Sequence, residues 1–265
     1  MLARRTVTTP ERRQSDAASW IATVAIVLAF ASGAILAIFP HLDVAVAKLF
    51  YSQENKFIGA DVAFVDWLRI TFWGLFIASC MIAAFGLIIT RCFTRVWLGL
   101  AFAKWVFFAT CLTMGPGVVA NLVFKEHWGR ARPSQITEFA GNKNYTSAFT
   151  RSKQCDRNCS FVSGEASSLF IVFFSLAFLF RRQSRSLVAA GVALGAAAGL
   201  VRMIQGAHFL SDIVFAGVLM ALTAALVNFV FEVVADDGKS NVDALQTSQV
   251  ENPAQSLISS RSGPS

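Results

Sequence analysis

Three short polar stretches, separated by apolar sequence, carry the residue types that could do chemistry. The first is KEHWGRARP, Lys125 to Pro133, which places three Lys and Arg side chains within nine residues. The second is SFVSGEAS, Ser160 to Ser167, and the third is RMIQGAHFLSD, Arg202 to Asp212. Ammonium and guanidinium groups bind anions through charge-assisted hydrogen bonds. The stretches therefore predict an anion-binding site, provided that the fold brings them together.

The second and third stretches add groups that suit such a site. Ser163 and Gly164 form a small, flexible pair directly before an apolar run, and the amides and dipole of a helix start attract anions. His208 and Asp212 are four residues apart, a spacing that places both on one face of a helix. Each feature also has an ordinary structural explanation, such as an Arg that reaches the membrane surface or a Ser-Gly turn.

The elements that must position these residues are predicted to be membrane-spanning helices. Hydrophobic residues make up 55% of the 265-residue chain and charged residues only 15%, against about a quarter charged in soluble domains. A helix that crosses a bilayer needs roughly 20 apolar residues. Six stretches approach this length: Trp20 to Phe39, Leu68 to Thr90, Val96 to Phe124, Ser168 to Phe180, Leu187 to Ile204 and Phe209 to Val234. The predicted fold class is all-α, a six-helix transmembrane bundle with an extramembrane active-site loop.

Two details refine this architecture. The fourth stretch is short and must recruit residues from Gly164 onward, so its start is predicted to lie near the polar loop. The third contains Pro116, which removes one backbone hydrogen bond and predicts a kink. Residues 1–19 are predicted to be a cytoplasmic segment, residues 20–235 the six-span domain, and residues 236–265 a polar, disordered cytoplasmic tail.

The basic residues predict the orientation, because short cytoplasmic loops collect Lys and Arg. Three segments fall on one side of the membrane if every span crosses, and their basic residues are Arg4, Arg5, Arg12, Arg13, Arg91, Arg95, Arg181, Arg182 and Arg185. Both termini are therefore predicted to be cytoplasmic. A cleaved signal peptide is the alternative for the first span, but its apolar core is longer than usual and lacks a clear cleavage site.

The loop between the third and fourth spans does not follow this charge rule. It lies on the opposite side yet carries Lys125, Arg130, Arg132, Lys143, Arg151, Lys153 and Arg157 against Glu126, Glu138 and Asp156. Long loops cross the membrane largely regardless of charge, which is one explanation. An anion-binding site is the other. In an antiparallel bundle the three polar stretches reach the same bilayer face, and this convergence favours the site.

The three stretches resemble the signature motifs of the type 2 phosphatidic acid phosphatase superfamily, in order and in internal spacing. The matching residues are Lys125, Arg132, Pro133, Ser163, Gly164, Arg202, His208 and Asp212. The second motif of the family normally reads Pro-Ser-Gly-His, whereas this chain has Glu165 in place of the histidine. The third motif normally opens with Ser, where this chain has Val201.

The resemblance implies a mechanism for phosphoryl transfer. Lys125, Arg132 and Arg202 would bind the phosphate, together with the amides around Ser163 and Gly164. His208 would attack phosphorus to form a phosphohistidine, with Asp212 orienting the ring. Glu165 would protonate the leaving oxygen, with His127 as the alternative acid. The resemblance implies no metal and no cofactor.

The resemblance also implies the substrate class and the location. The substrate would be a lipid phosphate in the bilayer, with lipid A favoured because polybasic loops suit a headgroup with more than one phosphate; phosphatidate, phosphatidylglycerol phosphate and prenyl diphosphates are alternatives. No nucleic acid and no obligate protein partner is expected. The protein would lie in a bacterial inner membrane, with the active site on the periplasmic side.

Two other classes compete with the phosphatase. Because Glu165 replaces the family histidine, the chain could instead be a lipid-phosphate-binding protein with weakened catalysis. Vanadium-dependent haloperoxidases share the residue set but are soluble, which the six apolar stretches argue against.

Two cysteines lie in the polar loop, in the sequence CDRNC. Cys155 and Cys159 fall on the predicted outer side, where disulfides persist, so the sequence predicts a disulfide next to the second motif. Two free thiols are the alternative.

Overall fold

The computed structural model describes residues 10–39 and 41–259, which are mostly helical. Its α-helices are α1 (Pro10–Ile38), α2 (Leu42–Lys48), α3 (Ala63–Cys92), α4 (Phe102–Leu112), α5 (Gly164–Leu179), α6 (Ser184–Ile204) and α7 (Leu210–Ser259). A π-helix, Thr113–Lys125, continues α4, and a two-stranded hairpin, β1 (Val96–Trp97) with β2 (Leu100–Ala101), separates α3 from α4. Short 3-10 turns are Pro133–Gln135, Thr137–Phe139 and Arg181–Gln183.

Four helical segments are long and apolar enough to cross a membrane: Ala63–Cys92, Phe102–Lys125, Arg181–Ile204 and Leu210–Asp236. The other two predicted spans correspond to shorter apolar helices, Trp20–Leu36 and Gly164–Leu179. Sixteen residues of α5 extend about 24 Å at 1.5 Å per residue, less than the roughly 30 Å of a hydrocarbon core. The predicted count of six spans is therefore not confirmed by helix length.

The chain divides into two compact units, Met1–Val227 and Asn228–Ser265. The three polar stretches all belong to the first unit. In the second, the helical backbone continues to Ser259, past residue 236 where the sequence predicts a disordered tail.

Helix α5 is deeply packed, with buried residues on all its faces. A row of glycines on α6 allows this close packing. A Cβ atom on Gly191 would lie 2.8 Å from the Cβ of Phe173, and one on Gly195 would lie 2.6 Å from the ring of Phe170. Small residues spaced four apart let helices approach closely in membranes. Since α5 begins with Gly164, this packing also fixes the position of the second polar stretch.

The third predicted span changes helix type at its proline. α4 ends at Leu112, and the π-helix that follows contains the buried Pro116. Proline lacks the backbone N–H that an α-helix requires at this point, and π-helical segments are frequent at functional sites. Where the sequence predicts a kink, the structure changes from α-helical to π-helical hydrogen bonding. Pro116, Gly117, Asn121 and Lys125 all line one cleft of about 400 Å³ beside the start of α5.

The segments between the long helices have a small hydrophobic core of their own. The buried side chains of Ala131, Ile136 and Phe139 pack with Val44, Ala47, Phe57 and Phe209, which come from three separate parts of the chain. Burial of apolar area is the main stabilising contribution to such a cluster. The cluster therefore holds the loop after the π-helix against α2 and against the start of α7.

Two glycines of α3 provide a test of the packing between α3 and the following hairpin and helix. A Cβ atom on Gly86 would lie 2.4 Å from the buried ring of Trp105, whereas one on Gly74 would meet no atom within 4 Å. We expect Gly86→Ala to destabilise the protein by about 1–3 kcal/mol through overpacking. Gly74→Ala, the control, should be neutral or slightly stabilising because alanine favours helix. Thermal unfolding in detergent checks both, and equal melting temperatures would contradict this packing.

Candidate functional site

His208 and Asp212 face each other where α6 passes into α7. Gly206, with φ of +67°, makes the turn after α6, and a Cβ there would lie 2.3 Å from the ring of Phe57. His208 therefore lies in the turn before α7, which begins at Leu210, and not on a helical face as its spacing from Asp212 predicts. The two side chains still meet, with His208 Nδ1 3.6 Å from Asp212 Oδ2.

The His208 ring is buried, and neither ring nitrogen has a hydrogen-bond partner among the described atoms. Burial lowers the pKa of His208 from its ordinary value, although the neighbouring Asp212 carboxylate opposes this shift. The imidazole is therefore neutral at physiological pH. A neutral ring with Nδ1 directed at a carboxylate has its Nε2 lone pair available as a nucleophile.

Asp212 is held by hydrogen bonds on both carboxylate oxygens. Its Oδ2 accepts the Ser160 hydroxyl at 2.5 Å and the backbone N–H of Phe209 at 2.8 Å. In the bond to Phe209, the Asp212 side chain accepts the N–H of the residue three positions earlier, at the start of α7, as in a capping box. Its Oδ1 accepts Arg130 Nη1 at 2.5 Å. Because each partner is buried or in the backbone, Asp212 has little freedom to turn away from His208.

Arg130 is the central cation of this network, and sequence reasoning did not single it out. Its guanidinium is fully buried and bridges two carboxylates, Asp212 and Asp43, the latter at 2.7 Å from Nη2. Nη1 also donates to the Ser211 hydroxyl at 2.8 Å, and Nε donates to the carbonyl of Thr146 at 2.9 Å. Arg130 thus ties the loop to α2 and to the start of α7.

Two features of the sequence could have indicated this network. Arg130 lies inside the first motif, between Gly129 and the motif residue Arg132, and Asp43 is an isolated acid in the apolar run of α2. Asp43 is buried and accepts the Ser211 N–H and hydroxyl at 2.9 and 2.5 Å. A lone charge within an apolar helix needs a buried partner, but the sequence does not say which cation supplies it.

The predicted phosphate-binding cations converge around the start of α5. Lys125 ends the π-helix, and its Nζ lies 3.0 Å from where a Cβ on Gly164 would be. Lys125 Nζ donates to the Asn158 side chain at 3.4 Å, and Arg132 Nη2 donates to the Asn158 carbonyl at 2.9 Å. Asn158 therefore holds the two cations of the first motif in one place.

The loop that carries Asn158 is closed by a disulfide between Cys155 and Cys159. Its backbone is also anchored to the first motif, with Cys159 N–H donating to the Lys125 carbonyl at 3.2 Å and Ser160 N–H to the Arg130 carbonyl at 2.9 Å. These bonds carry the chain from the disulfide directly into the second motif.

Glu165 lies among cations. Its Oε1 is 3.4 Å from Arg202 Nε and 3.6 Å from Arg69 Nε, and its Oε2 is 4.0 Å from His208 Nε2. Nearby cations favour the ionised form of a carboxyl group. Glu165 is therefore a carboxylate in this arrangement. Arg69, on α3, is a second residue that sequence reasoning missed.

Ser163 and Gly164 occupy the start of α5 as predicted, but Ser163 has structural partners. Its hydroxyl accepts the Ala166 N–H at 3.5 Å as an N-cap, and its own N–H donates to the Asp212 carbonyl at 3.2 Å. Gly164 is only partly buried and borders the cleft. The Ser163 amide is thus used to join α5 to α7.

His127, the alternative acid, has other contacts. Its Nδ1 lies 2.8 Å from the carbonyl oxygen of Leu122, and its own carbonyl accepts Arg151 Nε at 2.7 Å. Among the described contacts none joins His127 to His208. The described residues also contain no group of three or more His, Cys, Asp or Glu side chains arranged to hold a metal ion.

Comparison with known proteins agrees with this geometry. The PAP2 superfamily model matches residues 103–234, a region that includes all three polar stretches. A lipid A 4'-phosphatase of Francisella tularensis subsp. novicida (strain U112) is 38% identical over 209 residues, covering 76% of this chain and 91% of that protein. A lipid A 4'-phosphatase of Rhizobium leguminosarum is 31% identical over 198 residues, covering 68% and 83%. No solved structure matches the chain.

The chain therefore belongs to the PAP2 superfamily. It is a phosphatase, a hydrolase of phosphoric esters, and it is similar to lipid A 4'-phosphatases over most of its length.

The Arg130 network provides a test of how the site is held together. We expect Arg130→Gln to destabilise the protein by about 3–5 kcal/mol, because Asp43 and Asp212 would remain buried without their counter-charge. Arg157→Gln is the control, since Arg157 belongs to the same loop but its side chain is 87% exposed beside Glu126. Thermal unfolding in detergent measures both. A wild-type melting temperature for Arg130→Gln would show that the two carboxylates do not depend on Arg130.

Proposed function

We propose that the protein hydrolyses a lipid phosphate through a phosphohistidine on His208. The observation that carries this proposal is a buried imidazole between two carboxylates. Its Nδ1 lies 3.6 Å from Asp212 Oδ2, and its Nε2 lies 4.0 Å from Glu165 Oε2, next to the arginines that flank Glu165. Phosphoryl transfer spreads negative charge over the equatorial oxygens, which need several fixed donors around them. Lys125, Arg132 and Arg202 supply these donors.

The first step is an attack of His208 Nε2 on phosphorus. A nitrogen–phosphorus bond forms as the bond from phosphorus to the lipid oxygen breaks, and the positive charge on the ring is stabilised by Asp212. The leaving oxygen takes a proton. In the second step water attacks the phosphohistidine, releases phosphate and restores the imidazole.

Glu165 is the proposed donor of that proton. Its two arginine partners favour the carboxylate in the ligand-free protein, so it must take up a proton when substrate binds. An arriving phosphate would compete for Arg202 and place a second negative charge beside Glu165, and both effects favour protonation. Proton uptake would then accompany substrate binding, and Glu165 would be protonated, and so able to act as an acid, only when a leaving group is present.

Lipid A bearing a 4'-phosphate is the proposed substrate. This assignment is supported by the names of the two relatives that the chain matches over at least 68% of its length. The cleft beside Lys125 and Glu165 also supports an amphiphilic substrate, because its other lining residues are mostly apolar.

We place the protein in a bacterial inner membrane with six spans, counting the shorter helices at Trp20–Leu36 and Gly164–Leu179 with the four long ones. α5 is short because its start belongs to the site and not to the bilayer surface. The active site would then face the periplasm, where a disulfide persists, and both termini would be cytoplasmic.

His208→Ala should abolish phosphate release from lipid A while the protein still inserts in the membrane, because no other group occupies the nucleophile position. Asp212→Asn should retain more activity than His208→Ala, since it weakens orientation of the ring without removing it. His41→Ala, at an exposed histidine before α2, is the control. Phosphate release by purified protein in detergent measures all three, with lipid A lacking the 4'-phosphate as the negative substrate. An active His208→Ala enzyme would overturn the mechanism.

Glu165→Gln should slow hydrolysis by roughly 10²–10⁴-fold, the usual contribution of a general acid, while binding of the lipid is retained. Glu165→His, the residue usual in the family, should keep part of the activity. His127→Ala tests the alternative acid in the same assay. Full activity of Glu165→Gln together with loss of activity in His127→Ala would assign the acid role to His127. Binding of the lipid without turnover by the wild-type protein would favour the class of lipid-phosphate-binding proteins.

A further inference from the structure

The start of α3 is joined to the third motif, although it lies outside all three motifs. Gln205 donates its Nε2 hydrogen to Asp66 Oδ1 at 2.8 Å, and the Gln205 Oε1 accepts Arg202 Nη1 at 2.5 Å. The Gly59 N–H also donates to the Ile204 carbonyl at 3.1 Å, just before α3 begins. These contacts fix the position of the first turns of α3 beside the site.

Arg69 follows Asp66 by one helical turn and faces the same way. Its Nε lies 3.6 Å from Glu165 Oε1, the oxygen that also faces Arg202 Nε at 3.4 Å. Arg202 is 8% exposed, and its buried Nε has no hydrogen-bond partner among the described atoms. Two guanidinium groups therefore share one carboxylate oxygen without satisfying the buried donor.

Glu165 is the one described carboxylate within 4 Å of this group of cations, which are Arg69, Lys125, Arg132 and Arg202. Like charges raise each other's energy when they converge in a partly buried place. Glu165 contacts two of the four, Arg69 and Arg202, while Asp66 and Asp212 act on the group from farther away. Among the described residues no carboxylate lies within 4 Å of Lys125 or Arg132, so the group can attract a further anion.

The side chains that follow Arg69 on α3 indicate that such an anion is linked to an apolar group. Trp73 and Phe76 come four and seven residues after Arg69, a spacing that places them on the same helical face. Both line the cleft that also contains Asn121, Lys125 and Glu165. Arg69 thus belongs to the face of α3 that leads from the cation group into an apolar cleft.

We propose that Arg69 is a fourth binding residue for the phosphate of the lipid substrate. Before phosphate binds, Arg69 Nε faces Glu165 Oε1. When phosphate binds, Arg69 exchanges this contact for one with the phosphate. Arg69 then contacts the phosphate beside Arg202, and the apolar part of the lipid lies along Trp73 and Phe76. The identity of the lipid rests on the proposed function, but the anion contact does not.

Binding of inorganic phosphate tests the anion contact of Arg69 separately from the identity of the lipid. We expect Arg69→Gln to weaken phosphate binding by about five- to tenfold, a reduced effect for a half-exposed ion pair, measured by calorimetry on purified protein in detergent. Arg69→Lys should retain most of the affinity because it keeps the charge. Arg91→Gln, at the exposed opposite end of the same helix, should bind as wild type. Wild-type phosphate affinity in a folded Arg69→Gln protein would overturn the assignment.

A double-mutant cycle with Glu165→Gln distinguishes a ligand contact from simple neutralisation of Glu165. If Arg69 binds phosphate, Arg69→Gln weakens binding in the Glu165→Gln background as well. Loss of the effect in that background would show that Arg69 acts only on Glu165, and would reject the proposal. Arg69-dependent phosphate binding without hydrolysis of any lipid phosphate would instead reject the proposed function and leave the role of Arg69 intact.

Discussion

The site depends on one buried interaction, the bridge that Arg130 makes between Asp43 and Asp212. All three side chains are almost completely removed from solvent, and each would be costly to bury without the others. The residues come from α2, from the loop after the π-helix and from α7, so these segments must assemble together. Arg130 also packs its guanidinium 4.4 Å from the ring centre of Phe209, beside the turn that carries His208. Orientation of His208 is thus a consequence of how these segments fold together.

Charge is buried in opposite ways around Asp212 and around Glu165. Asp212 has its full set of hydrogen-bond donors and is fixed. Around Glu165 the cations outnumber the carboxylates in contact with them, and the buried Arg202 Nε has no hydrogen-bond partner in the described part of the chain. Incomplete pairing of this kind favours binding of an anion. Preorganised donors of this sort are what stabilises a phosphoryl-transfer transition state.

Much of the site could be predicted from local sequence. The three polar stretches do meet, with Glu165 within 4.0 Å of both Arg202 and His208, and Lys125 over Gly164. The bridge to Asp43 could not be predicted, because 87 residues separate it from Arg130 and nothing in a single sequence pairs them. Spacing alone placed His208 on a helix, whereas Gly206 starts a turn that delays α7. Hydropathy marked six apolar stretches but could not tell how much of α5 belongs to the site.

The central claim is that His208 becomes phosphorylated during turnover. Lipid A labelled with ³²P at its 4'-phosphate, mixed with enzyme and quenched within a single turnover, tests it directly. The account predicts a protein-bound label that is stable in alkali and labile in acid, as a phosphohistidine is, located on the peptide containing His208 and absent from His208→Ala. Phosphate release without any protein-bound label, or a label on another residue, would contradict it.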